Sequence, residues 1–301
     1  MKLKRTAALV LTALMLPLTS CTSTEDQLAA KAIPITLEGP TASCASDSVQ
    51  IDDGQITITG HGIYRLTGTL ADGQVLVDCG DTGEVWLILD GADITSKSGA
   101  CIYIKQADLT HISLADDTVN TLTDGANYTF DPGDDEPDGT IFARDDLVLQ
   151  GEGSLVIDAN FKNAIAAKDD LTIAGGTWDI VSVGHGIKGK DSLTITGGVI
   201  YVDAEGDGLK STNAEGGSKG VVTISGGVVD VFAGDEGIQA ISDITVSGGV
   251  VTVDSRNNGI RSGTVLNQTG GELYIHAEDT PLDVPAENRT GGILSIGGVM
   301  Q

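Results

Sequence analysis

Aromatic residues are scarce in this chain, with two Trp, five Tyr and four Phe among 301 residues. A core built on stacked rings is excluded, so aliphatic side chains must fill the interior. Seven Pro are too few for a proline-rich spacer. Four Cys, none in a Cys-x-x-Cys pair, and four His leave no zinc cluster to read. Helical periodicity longer than about two turns is absent. Basic residues are also few, 17 Lys+Arg against 43 Asp+Glu. What remains is rich in Gly, 41 in all, and in alternating Val, Ile and Thr, the pattern of short strands and tight turns.

The first residues read as a targeting segment. Lys2, Lys4 and Arg5 precede an apolar run over residues 7–16, too short for a permanent membrane helix. Leu18-Thr19-Ser20-Cys21 matches a bacterial lipobox. The expectation is a lipoprotein signal over residues 1–20, a lipidated Cys21 with a polar tether over 21–32, and one folded domain over 33–301. Such a chain is exported and anchored by lipid on the outside of a Gram-positive surface or a Gram-negative outer membrane. It is expected to be a monomer that meets the membrane only through its anchor. Removing the signal takes three of the 17 basic residues and leaves 14 against 43 acidic ones. A net charge near −29 excludes nucleic acid as a partner. Export permits disulfides, and Cys44, Cys79 and Cys101 are the candidates beyond the anchor.

Gly-Gly pairs recur at 175, 197, 226, 248, 270 and 291. Apolar markers Ile165, Ile187, Leu209, Ile238, Ile260 and Leu282 recur at intervals of 22, 22, 29, 22 and 22. The long interval holds a polar insert, residues 213–220. A fixed period of this size is the signature of stacked units. Each unit carries three short strand-like pieces, as in Leu171-Thr172-Ile173, Trp178-Asp179-Ile180 and Gly186-Ile187-Lys188. Leucine-rich repeats share the period but not the Leu/Asn signature. The fold expected is all-β, a single right-handed parallel β-helix of about 22 residues per coil. Cys79 and Cys101 are separated by one such interval, which sets them on adjacent rungs near bridging distance and predicts that they pair.

Alternation then assigns faces. Trp178, Ile200, Val229, Val251, Leu273 and Leu294 stack inside, as do Ile180, Val202, Val231, Val253, Ile275 and Ile296. Between them Tyr201 and Tyr274 face out. Gln268, Glu287 and Arg289 replace apolar residues in the last coils, as a terminal cap requires.

Three constellations carry possible chemistry. Arg144-Asp145-Asp146, Lys168-Asp169-Asp170 and Lys190-Asp191-Ser192 recur at intervals of 24 and 22. Asp145, Asp169 and Asp191 would lie in a row with the ~5 Å spacing of neighbouring strands. Facing like charges destabilise a sheet, so the row calls for adjacent cations, raised pKa values or bound Ca2+, which favours several oxygens in loose geometry. Asp134-x-Glu136-x-Asp138-Gly139, with Asp145 in twelfth place, faintly resembles a calcium loop and adds Glu136 to that set. Asp207, Asp235-Glu236 and Asn257-Asn258, with His185 in register, form a second acidic or amide column, which tight-turn preference also explains. The third column is basic: Lys188, Lys210 and Arg261, with Gln239 between the last two. A row of cations suits a linear repeating anion such as a uronic-acid polymer, and is equally readable as a solvated charged face. Tyr201 and Tyr274 offer stacking surface for neutral sugars. No carboxylate pair stands out as a glycosidase acid and base.

The motifs Lys168-Asp169-Asp170-Leu171-Thr172-Ile173, Gly186-Ile187-Lys188-Gly189-Lys190-Asp191, Gly206-Asp207-Gly208-Leu209-Lys210-Ser211-Thr212 and Gly237-Ile238-Gln239-Ala240 carry a resemblance. So do Leu87-Ile88-Leu89-Asp90-Gly91-Ala92-Asp93-Ile94 and Leu122-Thr123-Asp124-Gly125 upstream. Over roughly residues 50–280 the chain resembles the bacterial β-helix carbohydrate-binding domain family, once a domain of unknown function, whose members are often lipoproteins. The resemblance implies a calcium-bearing, pectate-lyase-like β-helix that binds plant cell-wall polysaccharide, acidic sugars especially. His185, where Asp or Asn is usual, and Glu236 depart from the family pattern.

The expectation is thus a non-catalytic, calcium-dependent binder of acidic, polygalacturonate-like polysaccharide, with cellulose as a further ligand. The expected metal ligands are Asp145, Asp146, Asp169, Asp170, Asp191, Asp207 and Glu136. Two alternatives stand beside it: a calcium-dependent pectate-type lyase, with Lys188 or Lys210 as base beside Asp207, and an adhesive solenoid without sugar ligand.

Overall fold

The structure is a computed structural model and describes residues 28–80, 83–130, 133 and 135–301. The signal segment, Cys21 and Asp134 lie outside the described residues. The sequence's preference for extended backbone is expressed throughout: among the described residues 32 strands form two sheets, and pairing between successive repeats is parallel.

An 11-stranded sheet of short strands makes one face. It opens with an antiparallel hairpin, Val49–Asp52 on Gln55–Ile58. Parallel strands follow, among them Ile102–Gln106, Gly139–Ala143, Asn163–Ala167, Ile187–Gly189, Leu209–Ser211, Ile238–Ala240 and Ile260–Ser262. The 21-stranded sheet supplies two further columns. In the early repeats one long strand, Glu84–Ser96, serves both columns, pairing with Leu109–Leu114 and then Val119–Asp124. Later repeats break this strand in two, as in Asp170–Ile173 and Thr177–Ser182. The first half looks irregular in sequence because its repeats differ in length: Ile56, Val75, Ile102 and Ile141 are partners in line at intervals of 19, 27 and 39.

The Gly-Gly pairs sit at the break. The second Gly of each is left-handed, from φ 70° at Gly271 to 91° at Gly198, a conformation that costs other residues dearly. The first lies against the preceding repeat: a Cβ on Gly248 would come within 2.3 Å of the Ser225 carbonyl oxygen. Glycine is required there by conformation and by space.

The register follows the repeat. Ile165 partners Ile187, Ile187 partners Leu209, Leu209 partners Ile238 across the insert, and Ile238 partners Ile260. Trp178, Ile200, Val229, Val251, Leu273 and Leu294 are partners in one line and all are buried. The second inward line is equally dry as far as Ile275, and Ile296 is half-buried. Each such Val, Leu or Ile contributes about 1.5–3 kcal/mol by leaving water.

Both ends are closed by antiparallel pairing. Ile33–Gly39 folds onto Ala42–Ser43 at one end, and Ile293–Ile296 onto Val299–Met300 at the other. Gln268, in line below Val246, is fully buried and donates from Nε2 to the Ile293 carbonyl at 2.7 Å.

The disulfide expectation is corrected. Cys44, Cys79 and Cys101 are all free. Val75 partners Ile102, and the register shifts so that Asp78 partners Gln106. Cys79 therefore follows the end of its strand while Cys101 precedes the start of the next. The repeat here is longer than 22 residues, with Val75 and its partner Ile102 standing 27 apart, so an interval of 22 leaves Cys79 and Cys101 out of register.

Candidate functional site

The outward positions of the short-strand sheet form one line. It runs from Thr57, Leu76 and Tyr103, past Phe142 and Ala166, to Lys188, Lys210, Gln239, Arg261 and Asp283. The expected basic row exists, but its cations are not free. Lys188 Nζ lies 3.8 Å from Asp138 Oδ2, and Lys210 Nζ lies 2.5 Å from Asp207 Oδ2. Arg261 reaches Glu236 Oε1 at 2.8 Å and Asp283 Oδ2 at 3.4 Å. The strands that carry these cations are very short, so acids at the flanking corner fall within reach of each one.

That corner precedes each short strand and holds a ladder of side chains. The Asn163 side-chain oxygen accepts from the His185 amide at 3.3 Å, His185 Nδ1 from the Asp207 amide at 3.0 Å, and Asp207 Oδ1 from the Glu236 amide at 3.1 Å. Asn258 Nδ2 donates to Glu236 Oε1 at 3.3 Å. A neutral imidazole has one acceptor nitrogen, so His185 accepts here as the side-chain oxygens of Asn163 and Asp207 do in the neighbouring repeats. Burial, with Lys210 and Lys188 beside it, pushes its pKa down to about 4. Asp207 and Glu236 are buried at 0% and 2% exposure. With Asp235 they place ligand oxygens within 4.8 Å of one another. Asn257 Nδ2 donates to Asp235 at 2.8 Å from the next repeat.

The opposite corner carries the other expected acids. Leu147, Leu171 and Leu193 are partners in line, which brings Asp145, Asp169 and Asp191 into one row. Their side chains do different work. Asp145 accepts from the Ala107 amide at 2.9 Å, and Asp146 from the Asp170 amide at 3.1 Å. Asp170 accepts from Ser192 Oγ at 2.7 Å. Burial would raise the Asp191 pKa, but hydrogen bonds from Asn213 and Lys219 in the insert outweigh it and lower the value. Asp169 is raised, by partial burial and then by Asp191, Asp146 and Asp145. Glu136 does not join this row; it pairs with Lys168 and, at 3.4 Å, with Arg144.

The family profile described as carbohydrate-binding domain-containing protein matches residues 52–297. The chain belongs to that family. A carbohydrate-binding domain-containing protein of Acetivibrio thermocellus is 45% identical over 199 residues, covering 66% of this chain and 70% of the relative. A solved structure described as a polysaccharide lyase-like protein from C. thermocellum, gadolinium derivative, superposes with a TM-score of 0.78 at 37% identity. It covers 79% of this chain and 97% of its own. The parallel-strand architecture is accordingly β-helix-like, of the kind seen in that lyase-like neighbour.

The chain exposes aromatic rings on a second face. Tyr201 is 45% exposed and Phe232 51%. Tyr274 is half-buried, with its hydroxyl donating to Glu272 at 2.7 Å. Phe232 was legible from alternation, since it follows inward Val231. Tyr103 was not, because its repeat is irregular. Gly216-Gly217-Ser218-Lys219-Gly220 has the spacing of a hydrolase elbow. It leads into the strand Val221–Ile224, not a helix, so the required context is missing.

Proposed function

We propose that the chain is a non-catalytic polysaccharide-binding protein, built as a right-handed parallel β-helix with one sequence repeat per coil and tethered outside the cell through Cys21. Its short-strand face would take an acidic glycan of the polygalacturonate kind. The observation that carries this reading is the line Lys188, Lys210, Gln239 and Arg261, one residue per repeat, with carboxylates along its edge. Repeats ~4.8 Å apart present charge at a regular interval to a polymer whose own charge repeats. Ca2+ fits the Asp207, Asp235 and Glu236 donor set, three carboxylates with oxygens inside 4.8 Å and the loose geometry that calcium tolerates. When bound it supplies positive charge that those carboxylates otherwise take from Lys210 and Arg261. The Asp145, Asp169 and Asp191 row is the second place for a cation, because Asp169 stands among like charges.

Binding of polygalacturonate to the parent and to the triple variant Lys188→Ala, Lys210→Ala, Arg261→Ala, each with calcium and with chelator, tests this. Three charge contacts of ~0.2–1 kcal/mol each predict a loss of about tenfold. Equal binding by a folded triple variant overturns the site. Likeness to a polysaccharide lyase-like protein supports a second reading, a lyase, which release of ultraviolet-absorbing unsaturated product would identify.

A further inference from the structure

The same face carries a concavity that the cation row does not use. A groove of about 780 Å³ lies over the first repeats, between the short-strand sheet and the segment that bears Tyr128 and Phe130. Its floor is the outward line itself, Leu76 followed by Tyr103. Tyr103 is half-buried and held in place: its ring packs against Phe142 at 5.7 Å, and the Arg144 guanidinium lies 5.8 Å from its centre. Phe142, its partner on the next strand, is 1% exposed. The floor is therefore a fixed apolar and aromatic platform.

The rim is polar; Asp53, Asp72 and Glu136 line it with Lys105 and Arg144, so it carries no excess of positive charge. Lys105 is matched by Asp78 at 2.8 Å, Asp72 by Lys97 at 3.1 Å, and Arg144 by Glu136 at 3.4 Å. Two amides line the wall. Gln74 Nε2 donates to the Ala100 carbonyl at 2.9 Å, which orients it, and Gln55 Nε2 lies 3.5 Å from Gln74 Oε1. Each amide has two donor hydrogens and two acceptor lone pairs, so both keep hydrogen-bonding capacity beyond these contacts.

We propose that this groove is a second glycan subsite, and that it takes a short uncharged segment of polysaccharide. This inference rests on the carbohydrate-binding reading above. A pyranose ring offers a C–H face to Leu76 and Tyr103 and equatorial hydroxyls to Gln55 and Gln74. The rim's cations are each matched by a carboxylate, and the carboxylate cluster whose calcium would release Lys210 and Arg261 to a sugar acid lies away from this groove. The volume falls in the ~300–1,000 Å³ range of small-ligand sites, enough for a few sugar rings.

The test is calorimetric titration of the full chain with neutral gluco-, xylo- and manno-hexasaccharides, and in parallel with polygalacturonate. At least one neutral hexasaccharide should bind. Tyr103→Ala should weaken it about tenfold, equivalent to ~1.4 kcal/mol, and leave polygalacturonate affinity unchanged. On the unaltered protein the same sugar should shift the Gln74 side-chain amide resonances in an NMR titration, which removes dependence on the variant's folding. If polygalacturonate binds and no neutral sugar does, the groove assignment falls alone. If a neutral sugar binds Tyr103→Ala as well as the parent and leaves Gln74 unmoved, its site is elsewhere. If no glycan of either kind binds the parent, the carbohydrate-binding reading falls with it.

Discussion

Replacing His185 by Asn should flatten the acid limb of the stability curve. In the corner ladder His185 is the one titrating member that accepts through nitrogen: its Nδ1 takes the Asp207 amide at 3.0 Å. Protonation would turn that acceptor into a donor facing a donor. It would also place a cation beside Lys210 and Lys188, partly offset by Asp207, Asp235 and Asp138. The folded pKa is accordingly near 4, against about 6.5 in an unfolded chain. The unfolded state therefore binds the proton first. Stability is fully present above pH 6.5, declines as pH falls, and has lost this contribution below about pH 4. A gap of that size corresponds to about 3 kcal/mol, and the 29% exposure of the ring trims the effect to about 2 kcal/mol. Asn at 185 keeps an acceptor for the Asp207 amide, as Asn163 does for His185, and does not titrate. Urea unfolding of both proteins between pH 7 and pH 4, in chelator, supplies the comparison. His111, the carboxylates and both caps are common to both and cancel. The parent should lose more stability than His185→Asn across that range, by about 2 kcal/mol. Parallel curves would show that His185 is not held neutral by the ladder.

Calcium at a hundredfold over its dissociation constant should add ~2.7 kcal/mol, seen as a higher melting temperature than in chelator. Glu236→Gln should reduce that gain, and identical melts would remove calcium from the account. Trp178→Ala should cost about 3–5 kcal/mol in unfolding free energy, since the ring is fully buried and its Nε1 donates to the Gly175 carbonyl at 2.7 Å. A cost below about 1 kcal/mol would contradict the packed core. Mass spectrometry after alkylation in denaturant should find Cys44, Cys79 and Cys101 all as thiols. In the native protein Cys79, pushed up to about 11 by burial and Asp78, and Cys101, higher still through burial, should alkylate slowly. A Cys79–Cys101 bridge would refute the register that pairs Val75 with Ile102.

The repeat was legible because its cause is local. Gly at a left-handed corner, an apolar residue two places into each strand and a polar one between them are single-position requirements, and they recur visibly from Gly175 onward. From them follow the inward lines through Trp178 and Ile180, the outward line through Lys188 and Lys210, and the polar cap at Gln268. Spacing also placed Asp145, Asp169 and Asp191 in one row. What each charged group touches was not legible, because contacts across a corner depend on angles that one-dimensional spacing does not contain. The cations turned toward Asp138, Asp207 and Glu236 because the strands are too short to hold them apart. Lys219 reached Asp191 only because the insert folds back. The Cys pairing failed because partners in this early repeat, such as Val75 and Ile102, stand 27 residues apart, so an interval of 22 does not match. The groove over Tyr103 was hidden altogether, since it needs the segment around Phe130 to pass over the early repeats. The strand pattern and its stacking thus belong to the sequence alone, each being set by one residue and its neighbours in the chain. The concavity and the charge partners belong to the tertiary structure, where residues distant in sequence are brought within hydrogen-bonding range.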